Sequence, residues 1–126
     1  MGDRRMAEIV TERGSLYVYS HWGGYNMPRD AALAVVAAGD RWSDEPYAVR
    51  IIVDQLTKQS RDATTGHGLM VSPSAEDEYN NNCPSIIIDL TDKSFEVIET
   101  GIDTIKVSFG DLVSSSQESQ ESNARA

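Results

Sequence analysis

The groups best suited to chemistry in this 126-residue chain are two histidines, two tryptophans and a few arginines, gathered in three short stretches. They are "HWGG" (His21, Trp22, Gly23, Gly24), "RWSDEPYAVR" (Arg41, Trp42, Tyr47, Arg50) and "TGHGL" (His67). His21 has the side chain whose ordinary pKa suits general base catalysis near neutral pH. Nucleophilic catalysis also needs a nucleophile within reach of that base. Ser20 is its neighbour, but adjacent residues of a strand point to opposite faces, and no G-x-S-x-G elbow is present. Hydrolysis with His21 as base, aided by Asp44, is therefore the weakest of three functional readings. The two histidines lack the spacing of a metal motif and one cysteine cannot form a thiolate cluster, so no metal and no cofactor are expected.

The stretches make better sense as a binding surface. Neither G-x-x-x-x-G-K-[ST] nor G-x-G-x-x-G occurs, yet glycines between a strand and a helix can present N–H groups to an anion. Trp22, Tyr25, Trp42 and Tyr47 offer stacking surface, and Arg41 and Arg50 offer the forked cation that phosphates favour. Together they would make a pocket for a small anionic, nucleotide-like ligand. The plainer alternative makes both tryptophans core and pairs Arg50 with Asp30, Asp44 or Asp54, since aromatics of this size are mostly buried.

The elements that must position these residues are legible in the pattern. "LYVYS" (16–20) reads as a strand with apolar or aromatic side chains on both faces, suited to a central position. In "NMPRDAALAVVAAGD", Asn26 is a cap, Pro28 falls in the first turn and Gly39 sits where a left-handed C-terminal residue belongs, giving a helix over about 29–38. A second helix opens at Ser43 or Asp44, and Val49, Ile52, Val53 and Leu56 recur at helical spacing as its buried stripe. Residues 60–83 are mostly loop, with "LMVS" a short strand. "SIIIDL" and "SFEVIE" form a hairpin about "TDK", and "TIKVSF" alternates as a strand with one wet face, Ile105, Val107 and Phe109 pointing inward. The order β-α-α-(β)-β-β-β predicts an α+β fold, with an antiparallel or mixed sheet of four to five strands and two helices on one face. Residues 1–14 read as a charged, frayed N-terminal arm, 15–113 as the single domain, and 114–126 as a disordered tail lacking large apolar residues.

Composition narrows the partners. Eleven basic against twenty acidic residues give a formal charge of −9, which opposes phosphate backbones, so DNA is not an expected partner. The lone Cys83, the absence of an apolar run after the charged N-terminus and the lack of a ~20-residue apolar stretch point to a cytoplasmic protein with no membrane partner. The acidic surface and the loop of "AEDE" favour, as the second functional reading, an interaction module for a basic host protein. Exposed sheet edges add the expectation of a homo-oligomer.

In combination, "LYVYSHWGG", "RW-D-PYAVRII" and "TGHGL" resemble small bacteriophage and bacterial proteins, in which a "Y-HWGG" or "Y-HWDG" strand end precedes "RW-D--Y--R-I". The likeness runs from about Leu16 to Ile88, and its signature positions here are His21, Trp22, Gly23, Gly24, Arg41, Trp42, Asp44, Tyr47, Arg50, Gly66 and Gly68. Ala48 departs from it, standing where the family often has leucine. The resemblance implies a setting rather than a reaction: a phage-type accessory factor in the host cytoplasm that holds a host protein or sequesters a signalling nucleotide. Non-enzymatic binding of a small anion at the rim where the strand ends and the first helix starts is thus the leading expectation. His21, Trp22, Gly23, Gly24, Arg41, Trp42, Tyr47, Arg50 and His67 are its candidate residues.

Overall fold

The computed structural model describes residues 5–20, 26–71, 85–98 and 104–114. Their element order is β1 (Arg5–Thr11), β2 (Gly14–Ser20), α1 (Met27–Ala37), α2 (Glu45–Thr57), β3 (His67–Met70), β4 (Ile86–Asp89), β5 (Ser94–Val97) and β6 (Ile105–Ser108). The strands form one six-stranded mixed sheet in the order β3-β2-β1-β4-β5-β6. All neighbouring pairs are antiparallel except β1 and β4 at the centre, which run parallel. The α+β class is as expected, and the strand count is one more than the upper expectation.

The extra strand lies where a frayed arm was expected. Residues 5–11 pair with β2 on one side and β4 on the other, so this segment is central to the sheet. Its charges hid its alternation. Ala7 and Ile9 point to the helices and are fully buried, while Glu8 points to the opposite face. There the Glu8 carboxylate accepts hydrogen bonds from Ser15 Oγ (2.6 Å) and Tyr17 Oη (3.3 Å), which satisfies an acid in mid-strand. Partial burial, followed by the charge of Glu8, raises the Tyr17 pKa above the ordinary tyrosine value. The two-residue turn of Glu12 and Arg13 closes onto Gly14 at φ +138°, a conformation that favours glycine.

Register sorts the two faces. Val18, Ile86, Ile88, Phe95 and Val97 join Ala7 and Ile9 on the side that meets α1 and α2. Fully burying each large aliphatic here contributes about 1.5–3 kcal/mol. Contrary to the two-sided reading of β2, Val18 and Ser20 are buried beneath the helices, while Tyr17 and Tyr19 lie half-buried on the other face. Along β6 and just past it, Val107 is half-buried and Phe109 buried as the alternation requires, but Ile105 at the sheet edge is 58% exposed.

Helix α1 buries Ala31, Ala34 and Val35, with Ala38 beyond its end, and these small side chains allow close approach to the rest of the core. It does not end in a left-handed glycine. A 3-10 turn over Gly39–Arg41 leads instead toward α2, and among the described glycines only Gly14 and Gly66 have positive φ. Helix α2 buries Ala48, Ile52 and Leu56, so its inward line is rotated slightly from the expected stripe and leaves Val49 and Val53 half-buried. Ala48 sits in the core with no exposed surface. In the β4–β5 turn, one Asp89 carboxylate oxygen accepts from Thr91 N (2.9 Å), Thr91 Oγ1 (2.6 Å) and Asp92 N (3.1 Å), fixing a tight connection.

Candidate functional site

The expected candidates separate into three groups. His21, Trp22, Gly23 and Gly24 lie outside the described residues, and the reading of His21 as a base lies there with them. Arg41, Trp42, Tyr47 and Arg50 cluster around the start of α2. His67 lies at the far end of that helix, on β3 opposite Ser20. From Tyr47 to the end of α2 at Thr57 the helix rises about 15 Å at 1.5 Å per residue. One pocket holding His67 together with Arg41 and Tyr47 is therefore not formed.

Trp42 is half-buried, packed against the core on one side and lining the larger groove described below on the other. Its indole Nε1–H donates to the Val35 carbonyl at 2.8 Å, and its ring meets Phe109 with centroids 4.9 Å apart at an interplanar angle of 49°. Arg41 and Tyr47 lie outside, with the guanidinium 5.0 Å from the Tyr47 ring centroid and 3.6 Å from the Asp44 carboxylate. Tyr47 is 52% exposed, so this pair is a solvated surface contact of small energetic value. Arg50 is exposed on α2 without an ion pair among the described residues: Asp44 is engaged by Arg41 and Asp54 by Arg61.

Among the described residues, two concavities beside the helices stand out. The larger, about 880 Å³, is an open groove between the β1–β2 turn, the start of α2 and the β4–β5 turn. The α2 start is already occupied there: the Glu45 carboxylate accepts the Glu12 N–H at 3.1 and 3.3 Å. That contact joins the hairpin to the helix and places negative charge where the helix dipole favours it.

The smaller cavity, about 340 Å³, lies where β2 ends, α1 starts and α2 finishes. Of the residues expected at a strand-end and helix-start rim, only His67 is among the described residues that line it. Arg29 and Asp30 come from the first turn of α1, Gln55 from the last turns of α2, Lys58 and Gln59 from the 3-10 turn Lys58–Ser60, and His67 from β3. Ser20 and Asn26, on either side of residues 21–25, also line it.

His67 is the best-defined group in the cavity. Its Nδ1 is 2.7 Å from Ser60 Oγ, so the Ser60 hydroxyl engages that ring nitrogen. Burial lowers the His67 pKa below the ordinary histidine value, against a weaker upward pull from the Asp30 carboxylate, so the ring is neutral at neutral pH. The Ser60 hydroxyl can donate to Nδ1 or accept from it, and it thereby accommodates either neutral tautomer. Gly66 makes this pairing feasible: its φ is +106°, and a methyl group there would overlap Ser60 Oγ.

Arg29 and Asp30 have no side-chain hydrogen bond or ion pair among the described residues, and Lys58 Nζ reaches only Gln55 Oε1 at 3.2 Å. A cavity that presents, among the described residues, two cations, one carboxylate, three amides and a neutral imidazole can take a small, strongly hydrogen-bonding anion. Sequence reading missed Arg29, Asp30, Lys58 and Ser60, although Asn26 and Pro28 had marked the helix start beside them. No group of three or more His, Cys, Asp or Glu side chains suited to a metal occurs among the described residues, and no described helix is long and apolar enough to cross a membrane. No protein-family model, curated protein or solved structure matches the chain, so the site is read from its own geometry.

Proposed function

We propose that this protein binds a small anionic ligand in the cavity between the end of β2, the start of α1 and the end of α2, and holds it without converting it. The observation that carries this reading is the pair Arg29 and Lys58, whose charges meet no carboxylate partner among the described residues and share a concave wall with the first turn of α1. In the setting suggested by the phage-type resemblance, such a protein acts in the host cytoplasm as an accessory factor that sequesters a host metabolite or signalling nucleotide. Thermal-shift screening with inorganic phosphate and nucleotides tests it. Occupancy at 100 times Kd adds about 2.7 kcal/mol of stability, and Arg29→Ala or Lys58→Ala removes most of that gain. A panel of anions without any shift refutes it.

A second reading, docking of a host protein, is favoured by β3, the edge strand among the described residues, where Leu69 is 52% exposed and Val71, just past its end, 82% exposed. Its test is capture of one defined host protein that is lost when Leu69 is changed to Lys and kept in Arg29→Ala.

A further inference from the structure

The cavity holds an acceptor that a plain anion site would avoid. Asp30 lies next to Arg29 on the wall and is close enough to His67 to act on its ionisation. A carboxylate repels any fully ionised ligand, yet it accepts a strong hydrogen bond from an anion that still carries an acidic proton. Phosphate monoesters have a second pKa near 6 and so keep a P–OH in mildly acidic solution, while sulfate of the same shape carries none.

Building on the anion-site reading, we propose that the cavity selects phosphate-type anions retaining a proton over fully ionised anions of like shape, with Asp30 accepting the P–OH while Arg29 and Lys58 hold the charged oxygens. The groups facing the ligand are Arg29 and Asp30 from α1, Lys58 and Gln59 from the turn after α2, His67 from β3 and Ser20 from β2. A positive charge on His67 attracts doubly charged sulfate more strongly than singly charged phosphate, so it opposes the expected preference and cannot produce it. Asp30 favours phosphate, because only one of the two anions can donate to it.

The experiment titrates the full chain with inorganic phosphate and, separately, with sulfate at constant ionic strength, following amide resonances of Arg29, Asp30, Lys58 and His67 near pH 6 and again near pH 8. Phosphate is expected to bind about tenfold more tightly than sulfate near pH 6, the scale of one charge-assisted hydrogen bond gained and one repulsion avoided. For inorganic phosphate the preference persists near pH 8, because HPO4²⁻ keeps a P–OH, whereas for a phosphate monoester titrated in parallel, which loses its P–OH above a second pKa near 6, the ratio to sulfate falls toward 1. Asp30→Asn brings the ratio near 1 at both pH values by improving sulfate, since the amide donates to either anion. Equal binding of the two anions by the native chain near pH 6 overturns the selection while leaving the anion site intact. A ratio unaffected by Asp30→Asn removes Asp30 from the role, and the native pH series decides the matter if that variant fails to fold. If neither anion moves these resonances, the anion-site reading falls with it.

Discussion

Replacing Trp42 decides whether the "RWSDEPYAVR" segment is core or a ligand-stacking platform. Trp42→Phe keeps an aromatic ring opposite Phe109 but loses the 2.8 Å hydrogen bond to the Val35 carbonyl. That carbonyl retains the Ala38 N–H at 3.1 Å, so it is not orphaned, and the lost bond costs about 0.5–1.5 kcal/mol. The phenyl ring is roughly 40 Å³ smaller than the indole, and at about 24 cal/mol per Å³ of residual cavity the void costs near 1 kcal/mol. The sum is about 1.5–2.5 kcal/mol. With an m-value of about 2 kcal/mol/M, the urea midpoint falls by about 1 M, and Tm drops by roughly 5–10 °C. Trp42→Ala removes the ring contact as well and costs about 3–5 kcal/mol. The assay is urea denaturation followed by far-UV circular dichroism, with Arg41→Ala and Tyr47→Phe as surface controls expected within about 0.5 kcal/mol of the parent. An unchanged midpoint in Trp42→Phe, accompanied by a loss of phosphate affinity, refutes the packing of Trp42 against the core.

Two further outcomes follow from the His67 corner. Because the folded pKa of His67 lies below its unfolded value, the unfolded chain binds more protons between those two values, and stability attributable to this ring rises with pH through that window and is lost as pH falls below about 6.5. The fall should be absent in His67→Gln, read as the pH dependence of the urea midpoint between about pH 5 and 7.5. Gly66→Ala combines an unfavourable backbone at φ +106° with overlap of Ser60 Oγ and should cost about 1–3 kcal/mol. In the double variant with Ser60→Ala the overlap is relieved and the backbone term remains, so the two costs add to less than their sum.

The sequence by itself determined the local elements whose signals are carried by neighbouring residues. Pro28 and the alanines announced α1, the Ile52 and Leu56 spacing announced α2, and the β4–β5 hairpin was readable from two apolar runs flanking "TDK". What it could not show was which distant residues meet. Arg29 and Asp30 reach the same cavity as Lys58 and His67 only because α2 returns the chain to the start of α1 and β3 pairs with β2. Trp42 looked free to stack on a ligand until Val35 and Phe109, 7 and 67 positions away, were seen to claim its two faces of chemistry, the N–H and the ring. The N-terminal segment shows the same limit in reverse. Glu8 and its flanking charges read as a solvated arm, and only the Ser15 and Tyr17 hydroxyls across the hairpin, with β4 alongside, make Arg5–Thr11 a central strand. Short-range periodicity specifies elements, while burial and polar satisfaction depend on partners that tertiary contacts alone supply.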